Sequence, residues 1–164
     1  MYNWLVYLHI FGAIVFFYSH GASGLVALRL RTERDPVRIK AMMETYATNL
    51  VFGLQYGSLL LLLVTGIISG FIARWWHMAW IWLSLGLLIA IIVSMYAIGT
   101  RFYSLVRKAI GMEYMEGGKP HPPVAPESLE TIAALLSKSP VMLLFAIGYG
   151  GLALILWLMM FKPF

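Results

Sequence analysis

The chain has 164 residues, of which 61% are hydrophobic and 12% charged, with a mean hydropathy of +0.82. A soluble domain carries about a quarter of its residues as charged side chains, so this composition, with several apolar runs of about 20 residues or more, describes a polytopic membrane protein. The absence of cysteine excludes disulfides, thiolate metal sites and Cys-ligated iron–sulfur clusters, and the net charge of +5 sits in loops beside the apolar runs, which argues for topology rather than nucleic-acid binding.

Four spans are expected, at 2–28, 48–73, 77–100 and 140–161. All must be helical, because an open segment in lipid has to satisfy its own backbone polar groups. The first lacks a basic leader and is too long for a cleaved signal, so it is expected to be retained. The polar linker TERDPVRIKAMMETYA follows, with a helix start at Asp35 and Pro36. The turn ARWWHMA is so tight that spans two and three should be antiparallel neighbours. Span three is expected to run on through FYSLVRKAIGMEYM until Gly117 and Gly118 end it, and KPHPPVAP reads as an extended polyproline strap. Leu129, Ile132, Ala133 and Leu136 then mark a short amphipathic cytoplasmic helix before Pro140 starts the last span. The expected fold is one all-α domain over 1–164, an antiparallel four-transmembrane-helix bundle.

Charge orients the spans. Arg29, Arg31, Arg34, Arg38 and Lys40 lie in one connection and Arg101, Arg107, Lys108, Lys119 and Lys138 in another, against only Arg74 and Lys162 on the opposite side. The positive-inside rule places both termini outside and both long basic connections in the cytoplasm of a bacterial inner membrane. Trp4, Trp75, Trp76, Trp80 and Trp157 then form the outer aromatic belt. The basic connections are expected to meet anionic headgroups, and Arg74 and Arg101 to act as snorkelling anchors.

Span one carries a seam, His9, Ala13, Phe16, His20, Ser23 and Ala27, at the spacing of a left-handed packed interface. Span two offers the pairs Gly53 with Gly57 and Gly66 with Gly70 for close helix approach, and a polar line of Gln55, Ser58, Thr65 and Ser69. Span three offers Gly86, Ala90 and Ala97 beside Ser94, and span four Ala146, Gly150 and Ala153. No carboxylate, lysine or arginine lies deep in a span, which argues against an ion-coupled transporter.

His9 and His20 are the candidate site. Eleven residues apart, they fall within about 20° on one face and about 16 Å apart along the axis. Intramembrane ionisable residues are functional candidates, and a neutral imidazole is the usual axial ligand of haem b in a bundle. One reading is therefore haem or metal ligation, with His77 opposite His9 and Met95 or Met142 as further ligands. The competing reading is hydrogen bonding across the bundle, His20 reaching Gln55 or Asn49. His77 also reads as an interfacial residue among tryptophans, and His121 as a solvated loop residue. The ten methionines are scattered, which favours packing over copper(I) binding. Among these motifs there is no dinucleotide fingerprint, P-loop, nucleophile elbow or HExxH.

The segment LHIFGAIVFFYSHGASGLVALRLRTERDP, with Leu8, His9, Gly12 and Ala13, the Arg-rich loop around Asp35 and Pro36, and LLLLLVTGIISG closing span two, resembles a family of small bacterial integral membrane proteins of unknown function. That family is similar in turn to the membrane domain of copper-resistance-D-like proteins. The resemblance covers roughly the first half of the chain and implies a four-helix bundle that handles metal or haem at His9. Two functional expectations stand side by side, with copper or other metal handling as a third. The first is a non-catalytic accessory or scaffold subunit, self-associating or joined to a larger membrane complex and holding haem b or a metal through His9 and His20. The second is a b-type haem protein exchanging electrons with quinone.

Overall fold

The computed structural model describes residues 1–46 and 49–164, and of 49–52 the backbone alone. Thr48, the expected start of span two, and the side chain of Asn49 lie outside the described residues. The helices are α1 (Tyr2–Thr32), α2 (Pro36–Tyr46), α3 (Asn49–Ile72), α4 (Ala79–Ala109), α5 (Leu129–Ser137) and α6 (141–161). Four of the apolar helical stretches are long enough to cross a membrane, so the protein is an all-α, multi-pass bundle.

Span one is longer than expected, reaching Thr32, where Glu33 leaves the helix in an extended conformation. The Glu33 carboxylate accepts from the backbone N–H groups of Arg34 (3.0 Å) and Asp35 (3.2 Å), and this redirects the chain into α2. Asp35 in turn accepts from the N–H of Val37 at 2.9 Å, capping α2 with Pro36 in its first turn. The backbone N–H donors hold the Glu33 carboxyl below its ordinary range, with the Arg38 and Arg29 charges adding to the effect.

The third span departs from expectation at its basic end. Gly111, with φ +73°, ends α4 after Ala109: the Gly111 N–H donates to the Lys108 carbonyl (3.2 Å) and the Met112 N–H to that of Arg107 (2.9 Å). That is a Schellman cap, which a left-handed glycine makes inexpensive. MEYM therefore does not prolong the helix, and part of the supposed polyproline strap is a strand. Tyr114–Glu116 pairs antiparallel with Lys119–His121 across Gly117 and Gly118, whose φ values of 61° and 77° suit a type I′ two-residue turn. Ser104 pins this hairpin to α4, its Oγ donating to the Met115 carbonyl (2.6 Å) and accepting from the Met115 N–H (2.7 Å). His121 is half-buried rather than solvated, stacked on Tyr114 at 5.3 Å between ring centres.

Helix α1 lies lengthwise on α3, and α4 lies lengthwise on α6. The expectation that spans two and three pack as neighbours holds only near their shared turn, where Gly70 meets Ile81. Two faces of α1 are used: Gly12 lies under Leu61 and Leu62 of α3, while Gly24 lies under the Phe145 ring of α6. The α4–α6 contact closes at Gly151 beneath Ile91 and at Gly148 beneath Met95. At one end of the bundle, Tyr2, the Trp75–His77 turn and Lys162 meet, with the Lys162 ammonium 4.1 Å from the Trp75 ring centre. At the basic end, Leu30, Ile39, Met43, Val106, Leu136 and Val141 form the most completely buried core in the molecule.

The glycines thus divide into two sets. Gly66, Gly70, Gly148 and Gly151 are packed, whereas a Cβ at Gly53, Gly57, Gly86 or Gly150 would meet nothing within 4 Å among the described residues. Ala90, Ala146 and Ala153 are exposed as well. Of the glycines and alanines expected to pack spans three and four into the bundle, all but the half-buried Ala97 therefore face outward within a single chain, as does the Gly53 and Gly57 pair. Both α4 and α6 contain a π turn, at Met95–Thr100 and Ala146–Gly150, and the extra residue rotates the packed face away from a regular repeat.

Two outcomes follow. Gly148→Ala should lower stability by about 1–3 kcal/mol, because its Cβ would stand 2.8 Å from the His20 ring nitrogen Nε2. Gly150→Ala should be neutral or stabilising by up to about 1 kcal/mol, both read by equilibrium unfolding in mixed micelles. As pH falls from 7 to 2, the amide resonances of Arg34 and Asp35 should titrate with a midpoint below the ordinary glutamate range. A depressed folded-state value means the turn's stabilisation is present above the unfolded value and lost as pH falls through the folded one.

Candidate functional site

Both histidines of α1 sit on its packed seam, with Phe16 and Ala27 buried and His9, Ala13, His20 and Ser23 half-buried. Their surroundings differ. His9 faces α3, where its Nδ1 lies 3.0 Å from the Leu62 carbonyl oxygen and 3.1 Å from Thr65 Oγ1. A carbonyl only accepts, so in the neutral ring Nδ1 carries the proton and Nε2 the lone pair. Thr65 is engaged in its own helix, donating to the Leu61 carbonyl at 2.6 Å. The ring lies so close to α3 that a Cβ on Gly66 would come within 3.1 Å of His9 Cε1. The Gly66 position is what admits the histidine.

His20 faces α6 and lies toward the basic end. Its ring stacks flat on Phe16 (5.9 Å, 5°) and tilts against Tyr149 (5.6 Å), and the Gln55 amide reaches its Nδ1 at 3.5 Å. Gln55 is thus one of the two partners anticipated for this ring. The His20 Nε2 and the Met95 methyl both lie over Gly148, so Met95 is indeed brought to His20, whereas Met142 is 62% exposed and points away. Around them a cleft of about 50 Å3 is lined by Ser23, Tyr46, Tyr103, Phe145 and Tyr149 among others. Tyr103 approaches Ser139 Oγ at 3.3 Å and packs on Tyr46 at 4.8 Å between ring centres. Burial, reinforced by Tyr103, raises the Tyr46 phenol far above its ordinary value and keeps it protonated.

This arrangement does not fit haem. Cofactor sites run to roughly 300–1,000 Å3, and the cleft at His20 has a small fraction of that. The face of His9 is closed by Gly66 and its neighbours on α3, and His77 is exposed in the Trp75–His77 turn rather than opposite His9. Among the described residues no three His, Asp or Glu side chains gather as a metal site. What the two rings do is hydrogen-bond and stack across the bundle.

The polar line of α3 is the other half of this interface. Ser58, Thr65 and Ser69 are buried, with Gln55 half-buried at the basic end of the line. Ser58 donates to the Leu54 carbonyl at 2.6 Å. Tyr149, Tyr46 and Tyr103 were not anticipated as neighbours of His20. The run GYGG, an aromatic hydroxyl set among glycines in an apolar span, was the signal available for Tyr149. No family model, curated protein or solved structure matches the chain.

His9→Leu should destabilise the protein by on the order of 1 kcal/mol, the scale of an interhelical hydrogen bond in a membrane. His9→Asn, whose amide places a donor near the Nδ1 position, should recover most of that loss in the same micellar unfolding assay. Equal destabilisation by the two variants would count against the bond as the role of His9.

Proposed function

We propose that the protein is a non-catalytic accessory or scaffold subunit of the bacterial cytoplasmic membrane, with both termini outside and the basic connections in the cytoplasm. The observation that carries this reading is the division of small residues. Inside the chain, Gly12, Gly24, Gly66, Gly148 and Gly151 stand where a neighbouring helix packs closely. The same residue types, Ala146, Gly150 and Ala153 on α6 and Gly53 and Gly57 on α3, also face outward, with nothing among the described residues packed on the glycines. In lipid, helices associate through such close approach rather than through a hydrophobic driving force, so these faces suit a further span, from a second copy or a larger complex. The engagement of His9 and His20 with the chain's own groups supports a structural use of both. The excess of basic residues around α2, the hairpin and α5 supports the orientation.

Purification in a mild detergent should yield a dimer or a complex with a co-purifying membrane protein. The double variant Ala146→Leu, Gly150→Leu should disperse it while leaving the unfolding midpoint of the chain unchanged. The preparation should also show no Soret band, either oxidised or reduced with dithionite. A monodisperse single chain with no partner would refute the scaffold reading, and a Soret band lost in His20→Ala would replace it with the haem reading.

A further inference from the structure

A groove of about 600 Å3 opens at the basic end of the bundle, lined by α2, by Ile110 just after α4, and by the segment leading into α5. Its floor is apolar: Ile39 and Ile132 belong to the buried core and Ile110 packs against them. Val37 and Leu129, 75% and 56% exposed, add an apolar lip. Pro36 and Pro126 stiffen the walls, and the Glu127 N–H donates to the Ala109 carbonyl at 2.9 Å, tying the entering segment to the end of α4.

Three charges line the same groove: Lys40 and Glu44 from α2, and Glu127. Lys40 and Glu44 are one helical turn apart, a spacing at which opposite charges pair. Among the described residues, however, the ion pairs join Arg29 to Glu33, Arg38 to Asp35 and Lys108 to Glu116, and none of the three groove charges takes part. The groove therefore offers one cation and two carboxylates to an occupant above an apolar floor. Its lining comes from the points where the apolar helices give way to charged sequence, the depth at which acyl chains meet headgroups.

We infer that this groove seats a zwitterionic phospholipid of the phosphatidylethanolamine type, its phosphate at Lys40, its ammonium at Glu44 and Glu127, and its upper acyl carbons over Ile39, Ile110 and Ile132. The volume lies within the range of small-ligand sites. An anionic lipid would satisfy Lys40 but set its charge beside two carboxylates, and a basic peptide would satisfy the carboxylates and oppose Lys40. A headgroup carrying both signs satisfies all three. This differs from the generic attraction of basic loops to anionic lipid, which needs no groove.

The test is native mass spectrometry of the delipidated full chain with phosphatidylethanolamine and phosphatidylglycerol of identical acyl chains. The expected result is one phosphatidylethanolamine retained per chain, about tenfold tighter than phosphatidylglycerol. Glu44→Gln with Glu127→Gln should abolish that preference, and Lys40→Gln should weaken both lipids. Ala41→Trp, which fills the groove without changing its charge, should remove binding with the helical signal and unfolding midpoint intact. Soluble phosphoethanolamine in excess should displace the lipid poorly, because the apolar floor contributes to its hold. Equal retention of the two lipids, retention of neither, or a preference that survives in the double glutamine variant would overturn the inference. Displacement by phosphoethanolamine as efficient as by short-chain lipid would overturn its assignment to a lipid.

Discussion

Water reaches a membrane bundle only at its ends, and the hydrophobic effect can hold this one together only there. The distribution of burial follows from that constraint. Leu30, Ile39, Met43, Val106, Leu136 and Val141, at most 1% exposed, lie at the basic end, and Leu158, 1% exposed, lies with Trp80 at the other. Midway along the spans, Ile14 and Ile89 stand more than 60% exposed, an arrangement that costs little against acyl chains. The short helices α2 and α5, which the sequence presents as connections, are therefore structural: Ile39, Met43, Ile132 and Leu136 complete a core more fully buried than the mid-span cluster of Phe16, Ile91, Leu152 and Ile155.

Within the membrane the chain relies on close approach and on hydrogen bonds. Helix α1 is central because it does both in two directions. Toward α3 it presents His9 and Gly12, and toward α6 it presents His20, Gly21 and Gly24. Most serine and threonine hydroxyls at the α1–α3 interface bond within their own helices. His9 is different, since its ring bridges to the neighbouring backbone. An imidazole buried between helices is costly unless its donor is met, and the Leu62 carbonyl, already inside a helix, accepts with its second lone pair.

The sequence disclosed the span count, the start of the last span at Pro140, and the seam of α1, because apolar length, proline and heptad spacing all survive the absence of tertiary information. Depth along two antiparallel spans, which is simple arithmetic, narrowed the partners of His20 to Gln55 or Asn49, and Gln55 is the one within reach among the described side chains. It misled where one residue changes a register. The regular spacing of Ala146, Gly150 and Ala153 pointed inward, yet the packed positions are Gly148 and Gly151, because α6 winds through a π turn. Gly117 and Gly118 read as a helix stop, but Gly111 had already ended α4 six residues earlier, freeing two glycines with positive φ to turn a hairpin. The aromatic cluster at His20 was hidden for a related reason, since it gathers Tyr46, Tyr103 and Tyr149 from three helices with no common motif.

The two π turns have one more consequence. One lies in α4 at Met95–Thr100 and the other in α6 at Ala146–Gly150, and each holds one residue more than an α-helical ladder accommodates. One added residue turns everything beyond it by about 100° around the axis. Helix α4 can therefore present Ile91 to α6 within the bilayer and, after the wide turn, Tyr103, Val106 and Ala109 to the basic-end core, without breaking its backbone ladder. The wide turn is a rotary joint between a helix suited to lipid and a helix suited to water, and it lets a single rod satisfy two solvents whose preferred faces do not line up.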